Sequence, residues 1–293
     1  MRHWLNKNTK YLFTVPTVTF VVICMAYPLL YAAYMSLHEW RMSAVKAPEF
    51  IGLQNFITLL QDDRVLHSIW FTFSYFFVTV ALEAVFGVLI AVMLSKIKRR
   101  QSLIRTGFIF PMVATPIAMG YVWRMMYDPA IGLFNSALRA MGLPVSTFLT
   151  NKDTVFSALA VMEVWHGTPL IILIVLAGLA GMNSDYYESA KVDGANGVQV
   201  FFRITLPLLM PTITMGIMLR GIDVLKLYDL IFATTAGGPN QASENLNLLV
   251  YTYAFDYLDM GKACALMLIF FTIVLVFAGI CIICRRKLER RLG

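Results

Sequence analysis

Seven ionisable side chains interrupt otherwise apolar stretches of this sequence, and they are the residues best placed to do chemistry. Glu83 lies in one stretch, Glu163 and His166 share another, and Arg220, Asp223, Lys226 and Asp229 follow one another in a third. An unpaired charge near the centre of a membrane helix costs about 2.5–3.5 kcal/mol, so such groups must be paired or wetted. Carboxylates, an imidazole and a neighbouring ring such as Trp165 suit sugar hydroxyls, which need acceptors, donors and flat apolar faces. Pairing is the plainer alternative: Glu163 and His166 could bond each other or a neighbouring helix. The four charges from Arg220 to Asp229 alternate in sign at i, i+3, which lets neighbours pair on one helix. Each such step turns the helix by about 60°, so the four cannot all line one narrow stripe. As a set they are read as marking a water-filled path.

Other chemistries find little support. No Gly-x-x-x-x-Gly-Lys-Ser/Thr loop occurs, so the chain is not expected to bind ATP through a P-loop. His3, His38, His67 and His166 are scattered, and no metal site is proposed. Cys281-x-x-Cys284 shares one helix face but has no partner acid or imidazole nearby. No clustered nucleophile and base is apparent, so the chain is expected to make and break no covalent bond.

The elements that must position these groups follow from composition. The 293 residues are 59% hydrophobic and only 14% charged, against about a quarter charged in a typical soluble domain. The mean hydropathy is +0.70. Four cysteines cannot form a disulfide scaffold. The net charge of +7 flanks apolar runs and does not form one solvated face, so headgroups are the expected partner and not nucleic acid.

A span needs about 20 mostly apolar residues. Six runs qualify, at about 11–37, 68–95, 106–126, 154–181, 207–234 and 263–284, and their length and lack of alternation require helices. The expectation is an all-α integral membrane protein of six transmembrane helices, a single domain over 1–293. The first run is too long for a signal core and is read as an uncleaved helix. The basic residues set the orientation. Arg2, Lys7, Lys10, Lys96, Lys98, Arg99, Arg100, Arg105, Lys191, Arg203, Arg285, Arg286, Lys287, Arg290 and Arg291 share one side. Only Arg41, Lys46, Arg64, Arg139, Lys152 and Lys262 lie on the other. Both termini are therefore expected in the cytoplasm.

Between spans, Phe56 to Leu60 suits a short amphipathic helix along the outer interface, Phe134 to Met141 a second short helix, and Gly237-Gly238-Pro239-Asn240 a turn. A kink is expected at Gly167-Thr168-Pro169. The fourth connection, 183–206, says most. Tyr186 to Asp193 suits a short helix, with Asp185 and Glu188 at its start and Gly194 and Gly197 to stop it.

That connection carries a resemblance. Glu188-x-Ala190-x-x-x-Gly194, nine residues, then Ile204-x-Leu206-Pro207 resembles the EAA loop of the inner-membrane permeases of binding-protein-dependent ABC importers. Asp193-Gly194-Ala195, Phe202 to Pro207, Leu227 to Ile231 with Thr235 to Pro239, and Phe50 to Phe56 resemble the carbohydrate, maltose-type branch. The likeness covers roughly Tyr11 to Cys284, with Ser189 standing where the family often has Ala. It implies a type I ABC importer permease architecture, transporting a sugar or sugar-like solute across a bacterial or archaeal inner membrane. It implies a coupling helix in which Glu188, Ser189, Ala190, Asp193 and Gly194 contact an ATPase. Its implied partners are a second homologous permease, two ATPase subunits holding ATP and Mg, and an extracytoplasmic solute-binding protein, with Gly237, Gly238 and Pro239 a candidate contact for the last. A proton- or sodium-coupled secondary transporter using Glu83, Glu163 and Asp223 is the rival reading; dependence on an ATPase, against sensitivity to an uncoupler, separates the two.

Overall fold

The computed structural model describes the backbone of residues 2–43, 46–97 and 101–292. Of the basic residues used to orient the chain, Lys98, Arg99 and Arg100 lie outside the described residues, as do the side chains of Arg2, Lys7, Lys10, Arg105 and Arg291. In chain order the elements are α1 (Arg2–Ser36), β1 (His38–Glu39), β2 (Glu49–Phe50), α2 (Gln54–Leu60), α3 (Asp63–Ser95), α4 (Gln101–Val113), α5 (Pro116–Met126), α6 (Leu133–Ala140) and α7 (Lys152–Ala180). There follow α8 (Asp185–Val192), α9 (Gly197–Val200), a π turn (Phe201–Thr205), α10 (Leu206–Leu225), α11 (Asp229–Thr234), α12 (Leu246–Tyr251), a second π turn (Thr252–Asp256) and α13 (Met260–Leu292).

Among the described residues five helices are long and apolar enough to cross a membrane, and six if one bent pair is counted as a span. That pair occupies the third span expected over 106–126, which is bent and not one continuous helix. The chain breaks between α4 and α5 with a bend of 99°. The cause is local: Pro116 opens α5, and Thr115 before it is extended at φ −68°, ψ 139°, the region to which a following proline drives a residue. The fifth span also differs from the expected 207–234. Helix runs from Gly197 to Leu225 and then stops, so α11 is a separate short element. The π turn sits where Pro207 would crowd the carbonyl of Arg203 four residues back, and the wider turn makes room. α7 continues as one helix through Pro169.

The fold divides into two compact units. One comprises 1–62 and 250–271. Its two-residue antiparallel ribbon pairs His38 with Phe50 and Glu39 with Glu49. The buried Asn55 amide donates to the carbonyls of Ser36 (2.9 Å) and His38 (3.0 Å), satisfying the C-terminal end of α1. Gly52 adopts the left-handed φ of +59° that the turn into α2 requires. Tyr253 donates to Asp62 at 3.1 Å, and Arg41 lies 3.7 Å from Asp259.

The other unit comprises 63–249 and 272–293. α3, α7 and α10 pack on one another around Val88, Ala91, Leu94, Ile171, Ile172, Val175, Leu209 and Ile213. Gly87 lets α3 approach α7, since a Cβ there would collide with the Ile171 side chain. In lipid there is little hydrophobic drive between helices, so such close approach supplies the contact energy.

Candidate functional site

Three helices of the second unit each contribute one charge to a buried cluster. Arg220 on α10 donates from Nε to Glu83 Oε2 (2.7 Å) and from Nη2 to Glu83 Oε1 (2.9 Å), Glu83 lying on α3. The same Nη2 donates to Oε1 of Glu163 on α7 at 2.5 Å. Glu83, Glu163 and Arg220 are 0%, 3% and 5% exposed. Gly167, one turn beyond Glu163, makes room: a Cβ there would strike both the guanidinium and the Glu83 carboxylate. Of the two readings open from the sequence, pairing describes these three, which sit buried in a fork-to-carboxylate arrangement suited to burial.

Of the other four candidates, Asp223 borders that cluster through an ion pair with Arg220, and the remaining three make no bond to it among the described residues. Asp223 is half exposed, with Oδ2 3.9 Å from Arg220 Nη1. Lys226 caps the end of α10 and is exposed, and Asp229 opens α11. The expectation of four charges on one span is thereby corrected to two, Arg220 and Asp223. The break is supported by side chains that sequence reasoning passed over. Asn247 donates to the carbonyl of Lys226 at 2.7 Å and Asn245 to that of Leu227, replacing the helical partners lost there. His166 does not bond Glu163; its Nε2 lies 3.4 Å from the carbonyl of Ala114, at the break between α4 and α5.

The fourth connection forms α8 with acidic residues in its first turn and Lys191 in its last, both favourable to the helix dipole. Its stop is a Schellman motif. Gly194 is left-handed at φ +72°, Gly194 N–H donates to Lys191 (3.2 Å), and Ala195 N–H donates to Ala190 (2.9 Å). Asn196 and Gln199 then form a reciprocal capping box that starts α9. Glu188, Ser189, Asp193 and Gly194 are exposed. Ala190 is not: it is 5% exposed and faces its own chain. Three residues earlier Tyr187 is half-buried and accepts from Thr205 at 3.4 Å, which ties α8 to the start of the next long helix. The outward face carries Tyr186 (53% exposed) and Val192 (88%), two large side chains left uncovered by the rest of the chain.

The turn at Gly237-Gly238-Pro239 is equally constrained. Gly237 is left-handed at φ +86°, and the Gly238–Pro239 bond is cis. Ser243 donates to the Gly238 carbonyl at 2.6 Å. Arg64 at the start of α3 holds Glu244 through two bonds, Nε to Oε2 (2.6 Å) and Nη2 to Oε1 (2.7 Å). Arg64 and Glu244 gave no signal in the sequence, since both lie in polar connections 180 residues apart.

The family model described as "Binding-protein-dependent transport system inner membrane component" matches residues 83–292. The trehalose/maltose transport system permease protein MalF of Thermococcus litoralis is 32% identical over 267 residues, 91% of this chain and 90% of that one. The multiple sugar-binding transport system permease protein MsmF of Streptococcus mutans is 30% identical over 291 residues, 99% and 98% of the two chains. The sn-glycerol-3-phosphate transport system permease protein UgpA of Brucella suis is 29% identical over 275 residues, 94% and 93% of the two. In fold, a chain of a bacterial alginate ABC transporter, solved with a periplasmic protein carrying an alginate pentasaccharide, superposes with a TM-score of 0.83 at 20% identity over 96% of each chain. The chain is thus a multi-pass membrane protein with the fold of the ABC importer permeases, and it belongs to the family of binding-protein-dependent transport system inner membrane components.

Proposed function

We propose that this chain is the permease subunit of an ATP-driven importer, that its solute is a sugar or sugar-like molecule delivered by an extracytoplasmic binding protein, and that α8 receives the force of a separate ATPase. The observation that carries the reading is α8 itself. It is a short helix closed by a Schellman motif between two membrane helices, tied to the second through Tyr187 and Thr205, with an exposed outer face. A chain without a nucleotide loop needs such a rigid element to take up a partner's movement. Glu188, Ser189, Asp193 and Gly194, with Tyr186 and Val192, form the docking face; Ala190 supports it from within by letting α8 lie close to its own chain.

In the full assembly a second, homologous permease completes the path, two ATPase subunits bind ATP and Mg, and both termini lie with α8 in the cytoplasm. The similarity to permeases named for trehalose, maltose and multiple sugars supports the sugar assignment. His166, Asp223, Lys226 and Asp229 remain the candidates for the solute path, being at least partly exposed. Glu83, Glu163 and Arg220 act as a structural clamp.

Gly194 tests the reading. Its ideal Cβ meets nothing within 4 Å, so its requirement is conformational and not steric. Gly194→Asn, which tolerates the left-handed region, is expected to keep uptake. Gly194→Val is expected to abolish uptake and solute-stimulated ATP hydrolysis while the chain still inserts. Normal uptake by the Val variant would overturn the coupling role. A cysteine at Ser189, in a background without Cys24, Cys264, Cys281 and Cys284, is expected to react only with reagents applied from the cytoplasm.

A further inference from the structure

A polar recess lies away from the buried cluster and from α8 and is bordered by the Gly237-Gly238-Pro239 turn. Residues 124–129, 147–150 and 234–239 enclose about 370 Å³, within the range of about 300–1,000 Å³ usual for small-molecule sites. We propose that this recess is a saccharide subsite, which holds one sugar ring of the solute at the mouth of the permease before it enters the helix bundle. This rests on the sugar-importer reading above and adds a location and a donor set to it.

The walls are built rigidly. α11 packs on α5 at Gly120, where a Cβ would stand 2.9 Å from that of Ala233. Asn135, fully buried, staples two walls together: its amide donates to the carbonyls of Asp128 (3.2 Å) and Ser146 (3.0 Å) and accepts from Ser146 N–H (2.9 Å). Thr154 fixes the 147–150 wall by donating to the Phe148 carbonyl at 2.9 Å. A site so held pays little ordering entropy when a ligand arrives.

The two charged groups facing this space keep free capacity, whereas the Thr150 hydroxyl already donates to the Thr147 carbonyl at 3.4 Å and has only its acceptor side to offer. Asp128 Oδ1 accepts from the amides of Ala130 (2.8 Å) and Ile131 (2.9 Å), which leaves Oδ2 to accept from a ligand. The Ile131 and Ala130 amides also hold its carboxyl below the usual aspartate range, so it is ionised at neutral pH. Arg124 lines the same recess and has no hydrogen-bond or ion-pair partner among the described residues. The two opposite charges, one helical turn apart in sequence, do not pair with each other. A guanidinium and a carboxylate oxygen free in one recess, beside the hydroxyls of Thr147 and Thr150, match the alternating acceptors and donors of vicinal hydroxyls. Pro239 offers an apolar wall to the C–H face of a ring. The opposite charges of Arg124 and Asp128 leave the recess with no net charge, which suits a neutral ring.

The test uses the complete transporter, with its partner permease, ATPases and binding protein, in proteoliposomes supplied with labelled maltose or trehalose. Asp128→Asn keeps an oxygen for the two amides, and Thr150→Val alters an exposed hydroxyl, so both are expected to fold. Asp128→Asn and Arg124→Gln are each expected to raise the KM for the imported disaccharide about tenfold, and Thr150→Val about threefold. The maximal rate should change less than twofold, and the Kd for the unliganded binding protein should not change. An unaltered KM in all three variants overturns the subsite and leaves the sugar importer standing. Equal weakening of the unliganded binding protein's docking also overturns it, because the recess then receives protein. If the wild-type transporter hydrolyses ATP with its binding protein but imports neither disaccharide, the sugar reading fails and the subsite with it.

Discussion

Arg220 and Glu83, 137 residues apart in sequence, meet as a two-pronged pair with N–O distances of 2.7 and 2.9 Å. Glu163 closes on the same guanidinium from a third helix. One cation thereby fixes α3, α7 and α10 at a common level. Because the guanidinium is planar and never loses its proton in a protein, it can hold two carboxylates where a lysine would present a single point charge.

Removing the cation should be far worse than removing the cluster. Arg220→Met leaves Glu83 and Glu163 buried without a counter-charge, a loss of about 3–5 kcal/mol. A marked fall in the thermal midpoint of the purified complex is the expected result. The triple variant Arg220→Met, Glu83→Leu, Glu163→Met should recover most of it, since replacing a whole buried cluster by apolar groups is often neutral. An unchanged midpoint in the single variant would contradict the clamp.

Gly167→Ala is expected to destabilise by about 1–3 kcal/mol, the range for overpacking, because its methyl meets the Arg220 guanidinium and the Glu83 carboxylate. Gly279, in the interior of α13, has open space where a Cβ would go. Gly279→Ala should therefore stabilise by up to about 1 kcal/mol through helix propensity. Thermal midpoints of opposite sign for the two glycines are the diagnostic outcome.

Arg64→Met should loosen the 236–245 turn without touching α8. Each hydrogen bond to a charged group contributes about 1.5–3 kcal/mol, so amide exchange at 236–245 is expected to rise at least about tenfold. Exchange in Asp185–Val192 should stay as in the wild type. A uniform rise in both segments would show a global loss of stability and not a local anchor.

Helix content and the approximate spans were legible because the apolar runs are long and lipid leaves the backbone no other partner. The Phe134–Met141 helix was legible to within a residue, appearing as Leu133–Ala140, since flanking Gly and Pro punctuate it. The stop at Gly194 was legible too, because only a residue tolerant of positive φ closes a helix in that way. The break at Thr115-Pro116 had a visible signal, the proline itself, which the continuous hydropathy across it masked. The break after Leu225 had none within the span; it depends on Asn245 and Asn247 reaching back some twenty residues to free carbonyls.

The amino-acid sequence by itself determined the solvent of this protein, its kind of secondary structure and its family, since these follow from composition, periodicity and a spaced motif. What each intramembrane charge does was decided by the tertiary structure alone. Glu83, Glu163 and Arg220 resemble any polar interruptions of a span until three helices bring them within bonding distance. Arg124 and Asp128 acquire meaning only because they share a recess without pairing. Hydropathy is a property of neighbours along the chain, whereas the cost of a buried charge depends on which group the fold sets against it.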